Sequence, residues 1–397
     1  MKILYVNTLY FPDEVGGAER SVRLLAEAMA TNGHEVRVLS LGDQNSSSEK
    51  NGVSLVYSKI RNIYHPFRGE GGGGMLQKLL WHSIDSFNFV VMNELGKVLD
   101  EFRPDVVHSN NISGFSVAVW QAAKSRGIPV VHTLRDYYLL CPRASMFKNG
   151  SPCKPTRCVD CKVLSQPKQW ASKKVNFVVG NSSYILGEHV DRGYFPAAQK
   201  SVIFNAYETT SEIVPAHARP SIPVFGYIGR LDETKGLEYL IRSFRKAFQP
   251  GANLASLLIA GQGDESYVSY LKEIASDASV KFLGRVKPDE FYPLIHYTVL
   301  PALWAEPLAR VLFESFVHGV PVIATRSGGT PEVVIEGVTG HLVEPGAVDE
   351  LASVMASVMF NGNTYEGMIA SCVASSPKFT YEQVAKSYLE VYSNAIC

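Results

Sequence analysis

Residues 2 to 40 read KILYVNTLYFPDEVGGAERSVRLLAEAMATNGHEVRVLS, and their order decides the architecture. KILYVN is an apolar strand, followed by a glycine-containing loop. Leu24, Leu25, Ala28 and Met29 then recur at helical spacing, Gly33 stops the helix, and VRVLS is the next strand. Strand, helix and strand in that order form a βαβ unit. Further strands are predicted at VSLVY, DVVHS, PVVHTL, NFVVG and SVIFN, with helices such as 75 to 102 and 113 to 126 between them. Continuous Val, Ile and Leu runs alternating with helices indicate a parallel sheet covered on both faces.

The same grammar restarts after residues 205 to 223, whose Pro, Ser and Thr content and lack of periodicity read as a linker or hinge. Strands VFGYIGR, LASLLIAGQG, VKFLGRV, YTVLPA and PVIATR alternate with helices at 236 to 248, 266 to 276, 288 to 295, 307 to 318 and 347 to 359. The fold class is therefore α/β, with two Rossmann-like doubly wound parallel-sheet domains, residues 1 to 204 and 224 to 378, facing each other across a cleft. Ligands of such sheets bind outside the carboxyl ends of the strands. The amphipathic last helix, about 379 to 397, is expected to pack back on the first domain.

At 397 residues and 46% apolar, the chain has material for two cores. Lys+Arg and Asp+Glu both total 38, so no global charge calls for nucleic acid. No stretch approaches the ~20 apolar residues of a membrane span, and the N-terminus lacks the pattern of a signal peptide. A cytoplasmic location is expected, with peripheral contact at the inner face of a membrane left open. Residues 135 to 174 carry nine basic and two acidic groups, which suits an anionic ligand or membrane surface, or a solvated loop.

EPLARVLFE at 306 to 314 sets two glutamates near each other. With Pro307 at a first helical position, Glu314 stands roughly 10 Å along the axis from Glu306, at ~1.5 Å per residue. Two carboxylates in series along one helix cannot easily face each other across a single bond, as an acid and base must. They fit better as two grips on one extended ligand. GRLDETKG follows the first strand of the second domain and puts Arg230 and Lys235 at a strand end, where cations neutralise a diphosphate without a metal. GQGD, with Gly261, and SGGTPE are glycine-rich turns where backbone can approach a ligand. No Asp-x-Asp occurs, which argues against a carboxylate-held divalent cation.

In order along the chain, GGAE, GRLDETKG, GQGD, FLGRV, EPLARVLFE and SGGTPEVV resemble the glycosyltransferase family 4 enzymes of GT-B fold. The resemblance implies retaining, metal-independent transfer from a nucleotide diphosphate sugar. It matches Arg230 and Lys235 to the diphosphate-binding pair, Glu314 to the ribose-binding glutamate and Glu306 to the one holding sugar hydroxyls. Pro307, Leu308, Ala309 and Arg310 would offer backbone amides to sugar and phosphate. Arg285 and Val286 match the loop bordering the base, and Gly16 and Gly17 the loop over the phosphates. A glycan or lipid-linked acceptor would meet the first domain, near Asp13, His108, Arg135 and Asp136.

Where many members carry His-Asp, this chain has Arg135-Asp136, with His132 three residues earlier, as a core histidine or a substitute. Arginine cannot act as a base at neutral pH, so its role would be electrostatic. A sugar-nucleotide epimerase and a non-catalytic nucleotide-sugar-binding subunit are the alternatives. Cys141, Cys153, Cys158 and Cys161 have the spacing C-x11-C-x4-C-x2-C, open to a structural zinc or to packed thiols. The stretch 65 to 83 reads as a loop leading into an amphipathic helix. Lys168, Trp170, Lys173 and Lys174 mix cations with an aromatic, as at an anionic lipid interface or on an ordinary surface helix.

Overall fold

The order of elements follows directly from the alternation above. The structure is a computed structural model describing residues 1–14, 16–59, 61–65, 74–153, 158–207, 222–249, 254–276, 279–358 and 362–397. Most of the expected hinge, the glycine run before residue 74 and residues 154–157 lie outside the described residues. The chain divides into two compact units: residues 1–146, 153–206 and 381–397, and residues 147–152 with 207–380.

In the first unit β1 (Lys2–Val6), α1 (Gly17–Thr31), β2 (Glu35–Gly42), β3 (Ser46–Lys50) and β4 (Val53–Lys59) are followed by α2 (Met75–Ser86), α3 (Phe89–Phe102), β5 (Val106–Ser109), α4 (Ala118–Lys124) and β6 (Val130–Leu134). A short hairpin, β7 (Phe147–Lys148) with β8 (Ser151–Pro152), falls to the second unit. Then come α5 (Val159–Ala171), β9 (Phe177–Gly180), α6 (Ser183–Val190) and β10 (Gln199–Val202). The sheet runs β10-β9-β6-β5-β1-β2-β4-β3, parallel except for β3, which pairs antiparallel with β4. β3 is SSSEK, too polar to read as a strand, and it blunts an exposed edge.

The second unit contains β11 (Val224–Ile228), α7 (Leu237–Ala247), β12 (Ser256–Ala260), α8 (Glu265–Ala275), β13 (Val280–Gly284), α9 (Pro288–Phe291), β14 (Tyr297–Leu300), α10 (Arg310–Val317), β15 (Val322–Thr325), β16 (Gly340–Val343), α11 (Val348–Ser357) and α12 (Gly362–Ser375). Its sheet order, β13-β12-β11-β14-β15-β16, is that of a dinucleotide-binding fold, with the order reversing between β11 and β14. The two α/β units confirm the expected fold class.

Three boundaries differ from the sequence reading. The helix expected over 75 to 102 is two helices, because Asn88 is extended and its side chain caps Val90 and Val91 N–H. The helix expected over 113 to 126 is confined to α4, after a turn in which Ser116 takes a positive φ. Pro307 does not open a helix: α10 begins at Arg310, behind an extended Ala309.

The last helix, α13 (Tyr381–Ile396), belongs to the first unit. Val384, Ala385, Tyr388, Val391 and Tyr392 join the core formed by α1, β1, β2 and β5. At its centre the Tyr392 hydroxyl meets Tyr5 OH at 2.8 Å and His108 Nδ1 at 2.7 Å, while His108 Nε2 meets Thr133 Oγ1 at 2.8 Å. All are buried. Tyr392→Phe would leave His108 Nδ1 and Tyr5 OH without that partner. The expected loss is about 1–3 kcal/mol of stability in urea titration; an unchanged midpoint would show that the hydroxyl carries no weight.

Candidate functional site

Five of the loops that leave the carboxyl edge of the second sheet hold most of the residues singled out from sequence. The loop after β11 carries Arg230 and Lys235, and that after β14 carries Glu306 to Ala309. These two loops flank the point where strand order reverses. Lys235 Nζ contacts both Glu306 oxygens, at 2.8 and 2.9 Å, with side chains 16 and 18% exposed. The backbones are tied as well, since Leu303 N–H donates to Thr234 O at 2.8 Å. Arg230 is far more open and lies 3.5 Å from Asp232. Arg310, in the first turn of α10, pairs with Glu314 one turn on, at 3.3 Å. Ala309 stands at the N-cap of α10 and offers no side-chain acceptor to the helix.

Each cation here thus faces a carboxylate of the same edge. Lys235 and Glu306 hold each other by charge-assisted bonds, so neither Glu306 oxygen stands poised as a free base. An incoming diphosphate would compete with Glu306 for Lys235, and the α10 terminus favours negative charge through its aligned peptide dipoles.

The glycine-rich turns also brace neighbouring loops of this edge. At Gly328, φ +57°, a Cβ would stand 1.9 Å from Glu306 O, and Gly329 N–H donates to that same carbonyl at 3.0 Å. Gly261, φ +144°, would place a Cβ 1.8 Å from Gly229 O. SGGTPE therefore braces Glu306, and GQGD braces the Arg230 loop, through backbone approach that only glycine allows. Beside Arg230 a cavity of about 600 Å³ is lined by Asp232, Gln262, Asp264, Tyr267 and Tyr270 among others. It does not include Lys235 or Glu306. Arg285, exposed, and Val286, half-buried, follow the edge strand β13.

In the first unit Gly16 precedes α1, and its N–H donates to Glu19 Oε2 at 2.9 Å, so that amide is already engaged. Gly17 opens the helix and is exposed, and Asp13 is half-buried in the same loop. Arg135, after β6, is held by two residues that sequence reading missed. Its Nε donates to Asn110 Oδ1 at 2.9 Å and its Nη1 to Asn205 Oδ1 at 2.6 Å. Both asparagines end strands, a position that reads as ordinary loop chemistry. Burial pushes the neighbouring Asp136 carboxyl up to about 6, while its Oδ1 accepts from Tyr138 N–H.

Two expectations are corrected here. His108 is fully buried beneath α13 and not on a surface an acceptor could reach; burial, with Arg135 nearby, holds its ring neutral, well below the usual histidine range. Lys168 is 4% exposed, its Nζ 2.9 Å from Tyr138 O and over the Tyr138 ring, so it does not join Trp170 on a lipid-facing surface. Burial lowers its pKa to about 8 against the pull of Asp85 and Asp136. His132 lies in β6 with Nδ1 2.9 Å from Ser109 Oγ, and burial lowers it to about 3, as for a core histidine.

Two Rossmann-like units, the second with its charged residues gathered at the reversal point, define a GT-B architecture. A glycosyltransferase family 4 model matches residues 15–211, and a glycosyl transferases group 1 model matches residues 222–361. A protein of the cps region of Klebsiella pneumoniae, itself uncharacterized, is 37% identical over 335 residues, 84% of this chain and 87% of its own. An uncharacterized glycosyltransferase of Methanocaldococcus jannaschii is 26% identical over 100% of this chain and 99% of its own. Anabaena HepE, solved in complex with UDP and glucose, superposes with a TM-score of 0.73 at 19% identity, covering 99% of each chain. The chain belongs to glycosyltransferase family 4 and is a glycosyltransferase of GT-B fold.

Proposed function

We propose that the chain is a retaining glycosyltransferase, which moves a sugar from a nucleotide diphosphate sugar to an acceptor hydroxyl in polysaccharide or glycolipid assembly. The observation that carries the reading is the Lys235–Glu306 pair at the strand-order reversal, next to the start of α10. Lys235 and Arg230 take the diphosphate, Glu306 the sugar hydroxyls and Glu314 the ribose. Arg285 and Val286 border the base, and the backbone from Pro307 to Arg310 lines the phosphate. With Glu306 occupied by the sugar hydroxyls, the departing phosphate oxygen takes the acceptor proton, so no enzymic base is needed on that face. Among relatives, HepE has also been solved with UDP-glucose, and the Klebsiella pneumoniae relative belongs to a cps region, which supports the donor class and the setting.

Incubation with UDP-, GDP- and dTDP-sugars without added divalent metal tests the reading. Consumption of one donor, with release of its nucleoside diphosphate, is expected. Isomerisation of a donor without acceptor would favour the epimerase alternative. Arg135, locked between Asn110 and Asn205, motivates the non-catalytic one; thermal stabilisation by nucleoside diphosphates with no donor ever consumed would establish it.

The acceptor side of the reading includes an anionic membrane surface. No helix among the described residues is long and apolar enough to cross a membrane. In the first unit, however, α2 exposes Met75, Leu76, Leu79 and Leu80. α5 exposes Val159, Val163 and Trp170, with Lys174 over the Trp170 ring. Apolar stripes with exposed lysines suit the plane of an anionic bilayer. Burying a leucine contributes about 1.5–3 kcal/mol. A double Leu76→Glu, Trp170→Glu variant should therefore lose tenfold or more of its binding to phosphatidylglycerol vesicles in co-sedimentation, with donor consumption unchanged. Undiminished binding would remove this surface from the proposal.

A further inference from the structure

The loop after β6 carries Arg135 and Asp136 and then doubles back. Cys141 N–H donates to Tyr137 O at 2.8 Å, Ala144 N–H to Cys141 O at 2.9 Å, and Tyr137 N–H to Ala144 O at 3.2 Å. One face of α5 is sewn to this turn. Tyr194 OH reaches Leu139 O at 2.9 Å and Ser165 O at 3.1 Å, and Lys168 Nζ reaches Tyr138 O. Cys161, Ser165 and Lys168 are spaced i, i+4, i+7, so Cys161 extends the same buried stripe toward the helix start. It stands 4.0 Å from Cys141 Sγ, and Cys158, at the N-cap, stands 3.1 Å from Cys161. The ligand atoms of Cys158, Asp160 and Cys161 all lie within 4.8 Å of one another.

We infer that Cys141, Cys158 and Cys161 hold one zinc ion as thiolates. Tetrahedral zinc, with Zn–S near 2.3 Å, spaces its sulfurs by about 3.7 Å. The separations from Cys161 to its two neighbours bracket that value, with Cys141 outside the tighter set of Cys158, Asp160 and Cys161, so the Cys141 sulfur closes in on binding; the three sulfurs come from a loop and a helix turn already held by other contacts. A disulfide would use only two of the three. The fourth position falls to Cys153 or to the Asp160 carboxylate. Binding displaces the thiol protons to solvent. The ion would clamp the turn that carries Asp136 onto α5, at the end opposite Lys168. It is structural: none of the sugar-transfer steps above passes through it.

Metal analysis of the full chain, purified under reducing conditions and reconstituted with zinc, should give one zinc per chain. Cys158→Ser and Cys161→Ser should each lose it, and Cys397→Ser, outside the cluster, should keep it. Because those variants could fold poorly, the wild-type chain supplies an independent readout. Peptide mapping after N-ethylmaleimide should find Cys141, Cys158 and Cys161 protected until a strong chelator is added, and cobalt substitution should give a thiolate-to-cobalt absorption band. Substoichiometric zinc after reconstitution, alkylation indifferent to chelator, or a Cys158–Cys161 disulfide in the reconstituted protein would overturn the site. None of these readouts depends on sugar transfer, so the zinc site and the proposed activity stand or fall separately.

Discussion

Lys235→Ala is expected to lower kcat/KM for sugar transfer by about 10²–10³-fold, the usual cost of removing one preorganised charge contact to a developing anion. The leaving diphosphate gathers charge as the glycosidic bond breaks. Lys235 is the more enclosed of the two cations in the loop after β11, at 16% side-chain exposure against 64% for Arg230. Its contribution is therefore less screened than that of Arg230. The variant also strips Glu306 of its partner, but water reaches that carboxylate, so the fold should survive. Initial rates beside a thermal melt separate the two effects. Turnover at the wild-type level in a folded variant would remove Lys235 from the chemistry, and Lys235→Arg should restore part of the rate because it keeps the charge.

Glu314→Gln is expected to act on binding instead. A hydrogen bond to a charged group contributes about 1.5–3 kcal/mol, so losing the proposed hold of the carboxylate on the ribose should raise the donor KM by roughly 10- to 150-fold. Because the ribose lies away from the reacting carbon, ground state and transition state lose the contact equally, and kcat should change little. Glutamine keeps the shape of the side chain beside Arg310, which limits disturbance of the first turns of α10. A fall in kcat at unchanged KM would place Glu314 elsewhere in the reaction.

Much of this was visible in the sequence because parallel α/β units advertise themselves. A buried strand such as FVVG is an uninterrupted apolar run, and the loops after such strands carry the polar residues. Order along the chain then placed Arg230, Lys235 and Glu306 on strand-end loops before any coordinates did. What escaped was tertiary or local to a few atoms. β16 and α12 lack a clear apolar period, and β3 is wholly polar. Pro307 resembles a helix opener, yet it sits in a bend and the helix starts only at Arg310, after an extended Ala309. The bracing role of Gly328 depends on where Glu306 O lies, 22 positions away in sequence, and no local pattern reports that. The same holds for Arg135, whose partners Asn110 and Asn205 are separated from it by 25 and 70 residues.

The most direct measurement is the anomeric configuration of the first-formed product, read by proton NMR on a reaction with an α-linked nucleotide sugar. Attack on the face that the departing phosphate leaves, with that phosphate accepting the acceptor's proton, predicts an α-linked product. A β-linked product would contradict the account, because inversion needs a base on the opposite face of the sugar ring and a different assignment for the residues around Lys235 and Glu306.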